Sequence, residues 1–395
     1  MEYDLHKKIS ILGSTGSIGK QTLQVVRELN LSVEALTCNS NVVLLAEQIL
    51  EFMPAVVSVG TVKAASELIS LLQAKGMAES TAPEIFIGEQ GLITAATMPG
   101  LDIVMAAIVG FSGLKPVLAA LDSGYSVALA NKETLVAGGS LVMNLAIRKK
   151  AEILPVDSEH SAIWQCLSVS SDQKFNKIFL TASGGPFRGC SSTELENVTP
   201  SMALKHPTWN MGAKISIDSA TMMNKGLEII EACHLFACRP EQIEVVVHPQ
   251  SIVHSMVELE DGSVLAQLGF PDMRIPIRLA ITWPKRPPAS YYKPFDPFAP
   301  SASPLIFERA DETVFPALRL ARDAIKEGGL APCILNAANE AAVKLFLEKK
   351  ISFPRIWQIV AEEMEANRAN ITSPDYDTLN FTHHDTMERI RNRYL

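Results

Sequence analysis

Short apolar runs alternate with longer segments of mixed polarity along the first third of the chain. "KISILG", "SVEALTCN", "AVVSVG", "EIFIG", "DIVMAAIVG" and "SVALAN" have the length and apolar content of buried strands. Between them, "SIGKQTLQVVREL", "VVLLAEQIL", "VKAASELISLLQAKG" and "LKPVLAALDSG" place apolar residues at three- and four-residue spacing, the period of an amphipathic helix. Such alternation over residues 7 to 130 predicts an α/β fold, a Rossmann-like doubly wound and mostly parallel sheet.

From residue 150 the pattern changes. "AEILPVD", "NKIFLTASGG", "KISIDS", "IEVVVHP" and "SIVHSMVEL" read as strands, with helices such as "MMNKGLEIIEACHLF" between them. Residues 283–304, "WPKRPPASYYKPFDPFAPSASP", hold seven prolines, which excludes a helix or a central strand. After it, "TVFPALRLARDAIKEGG", "APCILNAANEAAVKLFLEKK" and "SFPRIWQIVAEEMEAN" read as amphipathic helices punctuated by Gly or Pro. The expected organisation is a cofactor-binding Rossmann-like domain at 1–150, a central α/β catalytic domain at 151–283, a proline-rich connection at 284–310 and a helical domain at 311–395.

Composition narrows the function class. A chain of 395 residues exceeds what one core supports, so more than one domain is expected. With 35 basic against 43 acidic residues, the net charge of −8 argues against nucleic acid or an anionic membrane as a bulk partner. An anionic ligand then needs a local basic pocket. Six scattered cysteines with no CxxC pair suit reduced thiols in a cytoplasmic setting better than disulfides or zinc. The opening "MEYDLHKKISILGSTG" enters a strand without room for a signal peptide, and the apolar stretch "IVMAAIVGFSGLKPVLAAL" is broken by Gly110, Gly113, Lys115 and Pro116. A soluble protein is expected.

The first chemical signal is "KISILGSTGSIGKQTLQVV". Gly13, Gly16 and Gly19 lie between a strand and a helix, where bare backbone and a helix N-terminus accept a pyrophosphate. The spacing is G-x-x-G-x-x-G, not G-x-G-x-x-G, so a ligand-free glycine turn is the competing reading. At the end of the second strand, Cys38, Asn39, Ser40 and Asn41 replace the acid an NAD-selective site carries. Small polar groups tolerate a 2′-phosphate, which favours NADPH, although no Arg or Lys is present there.

The second signal is "PVDSEH". On a strand end Asp157 and Glu159 point the same way, and two converging carboxylates repel unless a proton or cation lies between them. Two ligands are too few for a hard divalent ion, so a third is needed. "KISIDSATMMNKGLEIIEACHLF" offers it: Asp218 and Ser219 read as capping residues, and Asn224 and Glu228 share a helix face with Lys225 beside them. That helix presents an anion clamp and, about 6 Å further on, a carboxylate, a span that suits a short phosphorylated sugar. A solvated Lys225–Glu228 surface pair is an equally good account of the spacing alone. Ser183 with Gly184 and Gly185 forms a candidate phosphate turn, His206, Trp209 and Met211 form a loop able to cover a ligand or simply a packed tip, and Lys132 starts a helix at a strand end. His160, His248 and His254 lie near strand ends without a defined task.

Taken together, "GSTGSIG", "LANKETLV", "PVDSEHSAI", "TASGGPF", "HPTWNMGAKISIDSATMMNKGLE", "HPQSIVHSMVE", "FPDMRIPI" and "LNAANEAAV" resemble, in order and distance, the 1-deoxy-D-xylulose 5-phosphate reductoisomerase family of the non-mevalonate isoprenoid pathway. The likeness spans nearly the whole chain and is most specific from His206 to Glu228. It implies an NADP-dependent oxidoreductase that uses NADPH and Mg2+ or Mn2+ to rearrange and reduce its substrate to 2-C-methyl-D-erythritol 4-phosphate. By this resemblance Asp157, Glu159 and Glu228 are the metal ligands. These three and Lys132 form the catalytic group, with Glu159, Lys132 or a metal-bound water moving the proton. Ser158 and Lys132 hold substrate hydroxyls, while Ser183, His206, Ser219, Asn224 and Lys225 hold the phosphate end. The loop at 206–212 is a flap whose Trp209 covers the substrate. Thr15, Gly16, Ser17, Ile18, Asn39, Ser40, Asn41, Asn131, Glu133 and Gly212 match the cofactor side. Many members carry Gly-Lys-Asn where this chain has Asn39-Ser40-Asn41, which leaves the adenosine-phosphate contacts open. A homodimer built through the central domain is also implied. Another NADP-dependent dehydrogenase of a phosphorylated substrate and a non-catalytic NADPH-sensing protein are the competing functions.

Overall fold

The computed structural model describes residues 6–169, 174–206, 209, 211–366 and 371–394. Two units are distinguished: Met1–Thr134 with Val142–Asp157 and Asp272–Tyr292, and Leu135–Leu141 with Ser158–Pro271 and Lys293–Leu395.

In the first unit, the apolar runs become β1 (Lys8–Leu12), β2 (Ser32–Thr37), β3 (Val56–Val59), β4 (Glu84–Ile87), β5 (Ile103–Ala106), β6 (Ser126–Leu129) and β7 (Ile153–Pro155). They form one seven-stranded sheet in the order β4-β3-β2-β1-β5-β6-β7, parallel throughout. Ile9, Ile11, Val104 and Met105 in the two central strands are fully buried, because helices cover both faces of such a sheet. The chain runs outward from β1 to β4 and then restarts at β5 on the other side of β1. This switch point lies at the carboxyl ends of β1 and β5, where doubly wound sheets take ligands.

The helices between these strands are α1 (Ser17–Leu29), α2 (Val42–Phe52), α3 (Val62–Ala74), α4 (Gly88–Ala96), α5 (Leu114–Asp122) and α6 (Lys132–Lys149). The Asn41 and Thr61 side chains accept from backbone N–H groups at the starts of α2 and α3, as capping requires. Helix α4 was not anticipated, since its Gly, Gln and Thr blur the apolar period. Strand β7, expected to open the second domain, instead pairs with β6 as the edge of the first sheet.

The second unit holds a mixed sheet of β8 (Phe175–Ala182), β9 (Ile243–Val247), β10 (Val253–Leu259), β11 (Val264–Leu268) and β12 (Glu308–Arg309), ordered β11-β10-β8-β9-β12. Its helices begin with α7 (Ser158–Leu167), α8 (Ser192–Leu195), α9 (Pro200–Ala203), α10 (Ala213–Ala220) and α11 (Met223–Leu235). "KISIDS" is therefore helix α10 and not a strand. Its isoleucines favour a strand, but helical geometry lets Lys214 reach buried Asp218 at 2.8 Å while Asn339 donates to the same carboxylate at 2.8 Å.

Helix α12 (Arg274–Thr282) belongs to the first unit, where Arg278 pairs with Glu28 at 2.7 Å and Lys7 donates to the Ile281 carbonyl at 2.9 Å. Residues 283–307 contain no helix or strand, as the prolines require. The chain ends in α13 (Ala317–Glu327), α14 (Ala331–Leu347), α15 (Arg355–Ala366) and α16 (Tyr376–Arg393), the last unforeseen. Phe353, fully buried, packs edge-on against Phe187, Phe346 and Trp357 at ring separations of 5.2–5.5 Å. A Cβ on Gly226 would meet the Ala317 carbonyl at 3.0 Å, so this glycine lets α11 lie close on α13. Among the described residues no helix is long and apolar enough to cross a membrane.

Candidate active site

Asp157 follows the end of β7, and Ser158 and Glu159 open α7. Their approach thus comes from a strand-to-helix turn, not from the alternation of one strand. Glu159 lies in the first turn of α7, where the helix dipole favours a carboxylate. One carboxylate oxygen from each of Asp157, Glu159 and Glu228 lies within 4.8 Å of the other two, and Glu228 is fully buried. Two ammonium groups accompany these acids. Lys132 Nζ is 3.1 Å from Asp157 Oδ2, and Lys225 Nζ is 3.5 Å from Glu159 Oε2 while also bonding Glu228. Asn224 donates to Glu228 Oε1 at 2.6 Å, and Ser158 donates to Glu159 Oε2 at 2.9 Å. Close oxygen donors of this kind suit a hard divalent ion. Lys225 and Glu228 are both buried, which removes the solvated-pair reading.

His160 is buried under this cluster. Its Nε2 lies 3.0 Å from the Glu228 backbone carbonyl and its Nδ1 3.1 Å from Glu231 Oε2. Glu231 was passed over in the sequence. Its signal there was an acid three residues after Glu228, hence on a neighbouring face of the same buried helix. His248 is occupied by backbone: Nδ1 donates to the Ile306 carbonyl at 2.8 Å, and Nε2 accepts from Ile252 N–H at 3.1 Å. His254 is buried at the start of β10.

The turn after β8 needs both of its glycines. Gly184 and Gly185 have φ of 86° and 67°, and a Cβ on Gly185 would come within 2.6 Å of the Ser219 carbonyl. The "TASGG" turn is therefore held against the end of α10. Ser183 Oγ accepts from Gly185 N–H at 3.3 Å and lies 3.0 Å from His206 Nε2. Trp209 N–H donates to His206 Nδ1 at 2.9 Å, so the neutral ring carries its proton on Nε2 and donates to Ser183. Burial lowers the His206 pKa, which favours that neutral form. Asp218 and Ser219 lie inside α10 and do not cap α11. Met222 takes that position at φ 61°, with Thr221 Oγ1 accepting from Met223 N–H at 3.3 Å. Of the expected flap at 206–212, residues 207, 208 and 210 lie outside the described residues. Trp209 is half-buried and Gly212 is the exposed N-cap of α10.

The glycine turn after β1 is built for backbone exposure. Gly13 has φ 89°, and a Cβ there would lie 2.7 Å from the Ala107 carbonyl. On Gly19 it would lie 2.3 Å from the Gly13 carbonyl, so both positions exclude a side chain. Gly13 and Ser14 N–H groups bond Thr37 Oγ1 and O at 2.8 Å, which ties the turn to β2. Gly16, the N-cap of α1, and Ser17 are exposed, Thr15 and Ile18 are half-buried, and the N-cap provides no side-chain cap for the first N–H groups of α1. Asn39, Ser40 and Asn41 are exposed, with Asn41 spent in part on capping α2. Asn131 is buried and caps α6 through Thr134 N–H at 2.8 Å while donating to the Ile108 and Gly110 carbonyls. Its side chain is thereby committed to structure. Glu133 is buried beside it.

Comparison with known proteins covers most of the chain. A family profile described as 1-deoxy-D-xylulose 5-phosphate reductoisomerase matches residues 9–139, its C-terminal domain profile matches 153–236, and a DXP reductoisomerase C-terminal domain profile matches 268–390. Proteins named 1-deoxy-D-xylulose 5-phosphate reductoisomerase from Ruminiclostridium cellulolyticum and Pelodictyon phaeoclathratiforme are 50% and 52% identical over 365 residues, covering 92% of this chain and 93% of each relative. Among solved structures, the Zymomonas mobilis enzyme in complex with NADPH is 42% identical, with a TM-score of 0.89 over 98% of this chain and 99% of that one. A DOX-P reductoisomerase in complex with NADPH, fosmidomycin and magnesium is 40% identical, with a TM-score of 0.90 over 98% and 97% of the two chains.

Proposed function

The chain belongs to the 1-deoxy-D-xylulose 5-phosphate reductoisomerase family, and on that premise we propose that it converts 1-deoxy-D-xylulose 5-phosphate to 2-C-methyl-D-erythritol 4-phosphate. It does so with NADPH and Mg2+ or Mn2+, as a step of non-mevalonate isoprenoid synthesis. The observation that carries this reading is the meeting of Asp157, Glu159 and Glu228 within 4.8 Å, with Asn224 and Lys225 one turn before Glu228.

When bound, the cation supplies Lewis-acid stabilisation of charge on substrate oxygens, and NADPH supplies the hydride. Asp157, Glu159 and Glu228 are the residues that hold the cation. Ser183 receives two N–H donors on its oxygen, so its own O–H is left to donate to a substrate phosphate. Ser219, Asn224 and Lys225 complete that clamp, whose binding energy orients the distant reacting carbons. Ser158 and Lys132 position the hydroxyls, and Glu159 or Lys132 moves the proton. Trp209, tied to His206, covers the substrate and excludes water. The turn at Thr15–Ile18 takes the NADPH pyrophosphate, with Asn39–Asn41, Asn131, Glu133 and Gly212 along the cofactor side.

The first unit, which includes β7 and α12, acts as the cofactor domain, and the second as the catalytic domain, with the helical end at 311–395. A homodimer formed through the central region is supported by β11, a sheet edge with Val264 and Leu268 exposed. The test of the reading is NADPH oxidation by the purified protein. Turnover should require both 1-deoxy-D-xylulose 5-phosphate and Mg2+ or Mn2+, and should cease with EDTA. Oxidation that persists without either component contradicts the reading.

A further inference from the structure

Helix α11 ends in a motif whose two facing positions are both cysteine. Phe236 is the C-cap, Ala237 is left-handed at φ 49°, and Cys238 N–H donates back to the Cys233 carbonyl at 3.3 Å. This is a Schellman ending, which sets side by side the residue after the left-handed position and the one three from the helix end. Those positions usually make a plain apolar contact. Here they carry two thiols, and the Cys238 S–H donates to the Ala232 carbonyl at 3.8 Å.

The two thiols are also unequal. Cys233 is buried and Cys238 is partly exposed. The neighbouring Cys233 side chain is the main reason the Cys238 pKa is lowered, with burial opposing it. The same pairing, reinforced by burial, raises the Cys233 pKa. By contrast, burial pushes Cys38 and Cys166 up to about 11 and Cys333 up to about 12. A disulfide needs Cα atoms within roughly 7 Å, and the bond from the Cys238 N–H to the Cys233 carbonyl at 3.3 Å holds the two backbones about that close. An exposed thiol of lowered pKa beside a resolving cysteine is the arrangement found in redox-sensitive sites.

We propose that Cys233 and Cys238 form a reversible dithiol–disulfide site that reacts with small disulfides such as oxidised glutathione. The Cys238 thiolate attacks one glutathione sulfur, forms a mixed disulfide and releases one glutathione thiolate. Cys233 then loses its proton to solvent and attacks the Cys238 sulfur, releasing the second glutathione as its thiolate. Two protein thiols are oxidised by two electrons and one glutathione disulfide is reduced to two thiols.

The test uses the purified full-length chain, incubated with oxidised glutathione, quenched in acid, alkylated and mapped by mass spectrometry. A Cys233–Cys238 crosslink should form at least tenfold faster than any adduct at Cys38, Cys166 or Cys333, and dithiothreitol should reverse it. Cys233→Ser should trap glutathione on Cys238, and Cys238→Ser should leave Cys233 unmodified. Recovery of both wild-type thiols free, or a lasting Cys238 adduct without the crosslink, overturns the proposal even if neither variant folds. The readout needs no substrate and is independent of catalysis.

Discussion

Replacing Glu228 with Gln removes one of three crowded carboxylates while keeping side-chain shape. At an effective dielectric of about 20, two carboxylates no more than 4.8 Å apart repel by at least about 3.5 kcal/mol. A bound cation relieves that repulsion, so the loss of even one such interaction lowers cation affinity on the order of 100-fold, about 2.7 kcal/mol. With Mg2+ or Mn2+ at about 100 times its wild-type Kd, the native protein gains about 2.7 kcal/mol of stability, whereas the variant gains only about 0.4 kcal/mol. Isothermal titration calorimetry reads the affinity, and thermal unfolding with and without the ion reads the linkage. NADPH binding should be unchanged, because the glycine turn after β1 is untouched. If Glu228→Gln binds the ion as tightly as the native chain, the three-carboxylate site is wrong.

Gly19→Ala forces a Cβ to within 2.3 Å of the Gly13 carbonyl, so NADPH affinity by fluorescence titration should fall at least about tenfold (1.4 kcal/mol) while cation binding persists; unchanged NADPH affinity would remove the turn from the cofactor site. Phe353→Ala empties the centre of a four-ring cluster and should cost about 3–5 kcal/mol in urea unfolding; a cost under about 1 kcal/mol would mean that the cluster is not a tight core. His383 on α16 is buried, and burial with His384 nearby pulls its pKa down to about 4. The unfolded chain takes up that proton first, near pH 6.5, so this stability is present above about pH 6.5 and is lost as pH falls toward 4, by about 3 kcal/mol. His383→Gln should flatten the pH dependence of the urea midpoint in that window, and an unchanged slope would contradict the assignment.

Much of the first sheet was legible because each parallel strand is a bounded apolar run, as β1, β3 and β5 illustrate. Helix α10 was not legible, because its isoleucines favour a strand and one partner of its buried Asp218 is Asn339, far along the chain. Membership of α12 in the first unit rests on Arg278 meeting Glu28, again a contact no local pattern encodes. At the candidate site, the residue types in "PVDSEH" and "NKGLE" point to a cation, but they do not encode how Asp157 and Glu159 approach each other. A turn into α7 brings them together where strand alternation was expected. The His160–Glu231 contact beneath Glu228 was invisible, since a buried histidine and an acid seventy-one residues apart carry no shared spacing. The facing cysteines at the end of α11 required the left-handed turn at Ala237, which the sequence "CHLFAC" does not announce.

The central claim is that this chain rearranges a carbon skeleton before reducing it. The most direct measurement incubates the protein with 1-deoxy-D-xylulose 5-phosphate, Mg2+ and NADPH deuterated at the transferable position, then identifies the product by NMR and mass spectrometry. The account predicts one deuterium in a branched product, 2-C-methyl-D-erythritol 4-phosphate. A straight-chain deoxypentitol phosphate carrying the label would show reduction without rearrangement and contradict it.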